Sequence, residues 1–292
     1  MSFQIITDTP ANIPLSFAKE ENITVIPFPY YLNGKEFLTV DFESLALGEY
    51  YQKIRDGEKV TTSQITPETY KEVFENFLKD GKDIIYISLS SGVSGAYNSA
   101  LIAKGELLET YKNAKIEIID SLGASLGEGL LVYKAADLRK QGYTTEKAAE
   151  MLEKGKRYIY QVFTVGDLKY LKQTGRISGA KAIAGTILNI KPILKGDKDG
   201  KIVESLKVRG RAKAVETLAE RYFKLVKNPE KQIVGISHCD CQKEAEQLKK
   251  VIMAKLPPKQ IVTVMHEPAT GSHIGPDSLA LYFEGERNVR FC

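Results

Sequence analysis

Hydroxyl and glycine residues are concentrated at Leu89–Asn98, LSSGVSGAYN, where an apolar, strand-like run hands over to a helical pattern. Such residues at such a junction can do three kinds of chemistry. They can cap the helix by accepting its orphan N–H groups. They can cradle an anion, because helix-start N–H groups and hydroxyls converge there and glycine permits close approach. They can also present a nucleophile, since an acyl hydrolase carries GxSxG at this junction with an acid and a histidine later in the chain. Here Gly92-Val93-Ser94-Gly95-Ala96 places the second glycine one position early. His273 lies downstream in the right order, but no residue stands out as the acid. A Walker-type phosphate loop is excluded because the loop lacks GK[ST].

Other clusters read more locally. Thr7-Asp8-Thr9 and Asp120-Ser121 end strand-like runs and are expected to cap the next helix. Val60-Thr61-Thr62-Ser63-Gln64 precedes Pro67, a helix-initiating proline, which suggests a capping role there too. Thr174-Gly175-Arg176-Ile177-Ser178 sets an arginine beside a glycine, where it can reach a buried anion. The glycines of Gly123–Gly129 do not spell GxGxxG and are read as permitting tight helix packing. His238-Cys239-Asp240-Cys241 has metal-ligating types without a second ligand pair at zinc-site spacing, so it is read as a strand end entering a turn.

The elements that must position these groups alternate between short apolar strands and amphipathic helices, the pattern of an α/β fold with a parallel sheet. Strands are expected at Phe3–Thr7, Ile23–Phe28, Asp83–Leu89 and Ile116–Asp120, with helices at Ser44–Arg55, Pro67–Lys79, Ser94–Glu109, Ala124–Gln141 and Thr145–Lys156. Tyr30–Phe37 reads as a hairpin turning at Asn33-Gly34. After Tyr158 the expected elements are a strand at Tyr160–Val165, a short helix, a hairpin of Pro192–Lys195 with Lys201–Lys207, a helix at Arg211–Val226, a strand at Gln232–His238, a helix at Gln242–Lys255 and a strand at Ile261–His266. The change of pattern places a domain boundary near Tyr158, dividing the chain into 1–158 and 159–292.

Composition narrows the functional classes. Of 292 residues, 43% are hydrophobic and 27% charged, the balance of a soluble globular protein. A net charge of +4 with interspersed signs and no basic stripe argues against nucleic acid as a partner. No apolar run approaches the ~20 residues that span a bilayer. The N-terminus MSFQIITDTP has no basic region or cleavage site of a signal peptide, so the expected location is the cytoplasm. Three cysteines, Cys239, Cys241 and Cys292, make no disulfide framework.

Taken in order, these segments resemble the DegV family, the bacterial fatty-acid-binding carrier proteins. The resemblance rests on TDT (Thr7–Thr9), ITVIPFPYYLNGKEF (Ile23–Phe37), TTSQ (Thr61–Gln64), LSSGVSGAYNSA (Leu89–Ala100), IIDSLGASLGEGLL (Ile118–Leu131), LKQTGRISGAKAIAGTILNIKPIL (Leu171–Leu194), KVRGRAKA (Lys207–Ala214) and SHIGPDSLAL (Ser272–Leu281). It implies two α/β domains with a long-chain fatty acid of the palmitate, stearate or oleate class buried between them. By the resemblance, Thr62 and Ser94 hydroxyls hold the carboxylate, helped by the Gly95 N–H. Arg176 and His273 orient or polarise the head group, and Arg209 contacts a partner kinase that uses ATP to form acyl-phosphate. The chain would then be a non-catalytic carrier with no cofactor or metal, free to touch a membrane transiently. A serine acyl hydrolase using Ser94, or an unrelated anion at the same helix start, are the competing readings of the loop. The chain departs from the family pattern at Ile274 for threonine, Asp277 for glycine, Ala96 for threonine, and TDT for the commoner TDS.

Overall fold

The structure is a computed structural model describing residues 3–42, 45–177, 189–286 and 290. Strand β1 (Gln4–Asp8) is followed by α1 (Leu15–Glu20) and β2 (Ile23–Ile26), then by the hairpin β3 (Tyr30–Leu32) and β4 (Lys35–Phe37). Helix α2 (Leu47–Arg55), β5 (Val60–Thr62), α3 (Pro67–Lys79), β6 (Ile84–Ser88) and α4 (Ala96–Thr110) come next. After β7 (Ile116–Asp120), α5 (Leu126–Lys140) and α6 (Thr145–Gly155) lead to β8 (Ile159–Thr164) and the short α7 (Lys169–Gln173). The remainder is β9 (Ile190–Gly196), β10 (Ile202–Arg209), α8 (Arg211–Leu225), β11 (Ile233–His238), α9 (Gln242–Lys255), β12 (Gln260–Met265), α10 (Pro268–Ile274) and β13 (Leu279–Glu284).

Strands β2-β1-β6-β7 form an all-parallel sheet. QIITD and IIYIS are buried at every position because helices cover both faces. On one face Ile5, Ile85 and Ile119 pack against α5 and α6; on the other Ile6, Tyr86 and Ile118 pack against α3 and α4. The second sheet runs β10-β9-β8-β13-β11-β12 and is mixed, with only β11 and β12 parallel. Its core is closed by α8 and α9 through Leu218, Tyr222, Leu248 and Ile252. Helix α5 lies between the two sheets: Leu131 and Val132 join the first core, while Leu126 packs with Ala280 and Tyr282 of the second. Its glycines do permit close packing, since a Cβ on Gly127 would fall 2.4 Å from the Gln161 side chain.

Four elements had no counterpart in the expected pattern: α1, β5, α10 and β13. Strand β13 inserts between β8 and β11, antiparallel to both, and makes the second sheet mixed. The expected strand Ile23–Phe28 stops at Ile26, and the expected helix Ser44–Arg55 starts at Leu47; Ser44 itself, Ser178 and most of the C-terminal extension lie outside the described residues. The hairpin turns at Asn33 and Gly34 with φ of 51° and 82°, as a type I′ turn requires. It gains β5 as a third strand, and with α2 this small layer reaches across to the second sheet. Tyr50 donates to the Pro268 carbonyl at 2.9 Å and Tyr51 to the His266 carbonyl at 2.8 Å. Arg55 pairs with Asp240 at 2.6 Å and Asp277 at 2.8 Å. Asp277 adopts φ of 63°, a backbone state that suits the glycine usual at this place, and the Arg55 pair gives its carboxylate a partner. No described helix is long and apolar enough to cross a membrane.

The hydroxyls at strand ends tie loops together rather than capping helices. Thr7 donates to the Ile87 carbonyl and to Glu128 Oε1, and Asp120 accepts from the Ser91 and Leu122 amides. Beside Thr7, Asp8 and Glu128 are both fully buried. Asp8 Oδ2 accepts from the Tyr86 hydroxyl at 2.6 Å and the Leu89 amide at 3.3 Å. Burial, then the neighbouring Asp8 carboxyl, raises Glu128 well above the usual carboxylate range, so Glu128 carries the proton and donates to Asp8. An unfolded chain releases that proton above about pH 4. The contribution of Glu128 to stability is therefore full below that range and falls as pH rises. Glu128→Gln keeps both hydrogen bonds and cannot ionise. Relative to wild type, its Tm should rise by at least about 2–4 °C between pH 5 and pH 8 in thermal unfolding. A pH-independent difference would mean that Glu128 is already ionised in the fold.

Candidate ligand-binding site

Strand β5 pairs antiparallel with β3 and sets Thr62 opposite Tyr30. The capping role expected of Thr61–Gln64 falls instead to Thr66, whose Oγ1 accepts from the Thr69 amide at 3.3 Å. Thr62 reaches across to α10, where its Oγ1 lies 2.9 Å from His273 Nε2. Helix α10 starts because Glu267 accepts from the Ala269 and Thr270 amides at 2.6 and 2.5 Å, with Pro268 in the first position. His273 sits in its last turn. Burial, and then the Arg176 charge, push its imidazole down to about 4, so it is neutral near pH 7. His273 Nδ1 is buried and has no hydrogen-bond partner among the described residues.

The three serines of the Ser90–Gly95 loop have different tasks. Ser90 Oγ donates to the Gly200 carbonyl at 2.9 Å, and a Cβ on Gly92 would fall 2.6 Å from the Asp199 carbonyl, so these two residues seat the β9–β10 turn. Ser91 donates to Asp120 at 2.5 Å. Ser94 accepts from the Ala96 amide at 3.2 Å, and Gly95 stands at the N-cap of the 15-residue α4. Arg176 comes directly after the left-handed Gly175 that ends α7 and donates to the carbonyls of Thr174 (2.5 Å) and Val93 (3.4 Å). Among the described residues, its hydrogen bonds go to carbonyl oxygens rather than carboxylates.

Thr62, Ser94, Gly95, Arg176 and His273 line a single cavity of about 340 Å³ between the two sheets. The volume suits a small-molecule site. Much of the wall is apolar, including Phe28, Leu89, Phe163, Ile202 and Ala280. Ile274 belongs to that wall, so its departure from threonine exchanges a hydroxyl for apolar surface. Polar residues elsewhere in the lining are satisfied internally. His266 pairs with Ser237 (2.7 Å) and Thr270 (3.2 Å), and Gln161 pairs with the Ala124 amide and Leu122 carbonyl. Burial holds His266 neutral, down to about 3. Polar capacity toward a ligand is therefore concentrated around Thr62, Ser94, Arg176 and His273. Arg209 is elsewhere, exposed at the end of β10 in a surface groove with Arg211 and Lys213. His238 closes β11, Cys241 precedes α9, and Asp240 between them pairs with Arg55. Gln64, Gln161, His266 and Tyr282 also line the cavity. Only Gln64 belongs to a segment whose residue types suggest chemistry; the inward side of β8 and β13 is visible only once the sheet is assembled.

A family profile described as "Uncharacterised protein, DegV family" matches residues 2–286. The chain belongs to the DegV family. A DegV domain-containing protein of Clostridium perfringens is 37% identical over 284 residues, covering 97% of this chain and 98% of the relative. Among solved structures, a fatty-acid-binding DegV family protein from Thermus thermophilus superposes with a TM-score of 0.88 at 27% identity, covering 98% of this chain and 100% of that one. A DegV family protein from Ruminococcus gnavus, solved with vaccenic acid, matches with a TM-score of 0.85 at 26% identity over 97% of this chain and 99% of that one. The two-sheet architecture is therefore the DegV fold.

The environment of His273 is directly measurable. In a DegV chain built this way, the His273 ring should stay neutral from pH 8 down to about 5 and protonate near 4 in an NMR titration. A midpoint at or above 6.5 would show that the ring is not desolvated beside Arg176.

Proposed function

We propose that this chain is a non-catalytic carrier that buries a long-chain fatty acid between its two halves, 1–158 and 159–292, and holds the carboxylate for a partner kinase. The observation that carries this reading is the division of the cavity: internally satisfied or apolar walls, with free polar capacity at Thr62, Ser94, Gly95, Arg176 and His273. A tail of about fourteen methylenes at ~0.8 kcal/mol each contributes on the order of 11 kcal/mol of gross stabilisation. Desolvating the carboxylate costs several kcal/mol. Hydrogen bonds to a charged acceptor return roughly 1.5–3 kcal/mol each, so two hydroxyls and an N–H offset it. Fatty acids bound to DegV relatives from Thermus thermophilus and Ruminococcus gnavus support the same ligand class here.

This geometry sets the protonation of the site. With His273 neutral and its Nε2–H donated to Thr62 Oγ1, the Thr62 hydroxyl is left free to donate to the carboxylate. The Arg176 charge lies close enough to depress His273 and favours an anion in the same space. The chain supplies no nucleophile. A carboxylate oxygen of the bound acid attacks the γ-phosphate of ATP held by the kinase, giving acyl-phosphate and ADP. Arg209, outside the cavity on the β10 edge, is the docking contact for that partner, and the exchange takes place in the cytoplasm. A hydrolase reading finds no support at Ser94: its Oγ accepts from the Ala96 amide, and His273 is engaged by Thr62.

Native mass spectrometry of gently purified protein should reveal a co-purified fatty acid. Replacing Thr62 and Ser94 together by alanine should weaken palmitate or oleate binding by more than about tenfold in a titration. Unchanged affinity would remove both hydroxyls from the site. Arg209→Glu should leave fatty-acid affinity within twofold of wild type and lower acyl-phosphate formation with a fatty-acid kinase by about tenfold. An unaltered rate would place the docking surface elsewhere.

A further inference from the structure

Gln64 lies two residues beyond Thr62, on the segment linking β5 to α3, and its side chain crosses to α4. Its Nε2 donates to Ser99 Oγ at 3.1 Å, and Ser99 is buried one turn into that helix. Its Oε1 lies over the helix start so closely that a Cβ on Gly95 would fall 2.1 Å away. Gly95 itself has φ of −82° and ψ of −1°, a right-handed conformation open to any residue. Backbone conformation therefore does not require glycine there. A side chain at position 95 would have to displace the Gln64 amide.

We propose that Gln64 is a positioning residue: its amide, lodged on Gly95 and bonded to Ser99, fixes the β5 end against the α4 start so that Thr62, Ser94 and the Gly95 N–H converge on one carboxylate. The inference rests on the fatty-acid reading of the cavity. Thr62 and Ser94 come from different elements, since β5 is held by β3 and, through His273, by α10, whereas Ser94 is held by the loop before α4. Donors that must meet a single anion tolerate little displacement, and a shift near 1 Å is enough to lose them. A clamp between the two segments supplies that constraint.

The test is a double-mutant cycle over Gln64→Ala and Gly95→Ala, read with two ligands that share a tail, palmitate and hexadecanol. Gln64→Ala should weaken palmitate by at least about tenfold and hexadecanol by less than about twofold, because only the charged head needs converging donors. Gly95→Ala keeps its N–H but displaces the amide. It should weaken palmitate similarly in wild type and by less than about twofold once Gln64 is alanine. Losses that multiply, or equal losses for both ligands, would overturn the assignment. Should Gln64→Ala fail to fold, Gln64→Met preserves volume and should show the same selective loss for palmitate. If wild type binds neither ligand, the fatty-acid reading fails on its own. The clamp is then decided by thermal unfolding of the same cycle: sub-additive changes in Tm uphold it and additive changes overturn it.

Discussion

The hydrogen bond between Thr62 and His273 joins a strand from the first third of the chain to a helix near its end, and both residues line the cavity between the sheets. Strand β5 arrives there because Tyr50, Tyr51 and Arg55 of α2 fasten the small three-stranded layer onto the second sheet. Helix α10 arrives because Glu267 and Pro268 start a seven-residue helix directly after β12. A carboxylate removed from water must meet donors within hydrogen-bond reach, and this junction brings donors from both halves of the molecule to one place.

The same junction explains why the ring of His273 is kept neutral. A charged imidazole beside Arg176 in a poorly hydrated wall would cost several kcal/mol, so burial and the arginine act in one direction. Elsewhere buried polar groups are hydrogen-bonded to one another, as at Ser237–His266–Thr270 and Thr7–Glu128.

Much of this architecture was legible where the signal is local. Asn33-Gly34 specified its turn, Pro67 opened α3, and β7 and α9 occupy the residues that their patterns indicated. Helix α10 was not legible, because PATGSHI is too short and too rich in small residues to display a helical period. Strand β13 was missed although LALYFE is a good strand, since its place between β8 and β11 depends on long-range pairing. Thr62, named by the family resemblance, lines the cavity, whereas its local reading as a cap gave way to Thr66; three residues of edge strand carry no periodicity. The lining by Gln161, His266 and Tyr282 and the volume of the cavity depend on how two sheets face each other, which no local pattern encodes.

The most direct measurement is a crystal structure of the protein with palmitate. The tail should lie between the two sheets, against Phe28 and Phe163, with the carboxylate accepting from Thr62 Oγ1, Ser94 Oγ and the Gly95 amide. An acid lying on the surface, or a cavity closed by repacked side chains with no room beside Thr62 and Ser94, would contradict it.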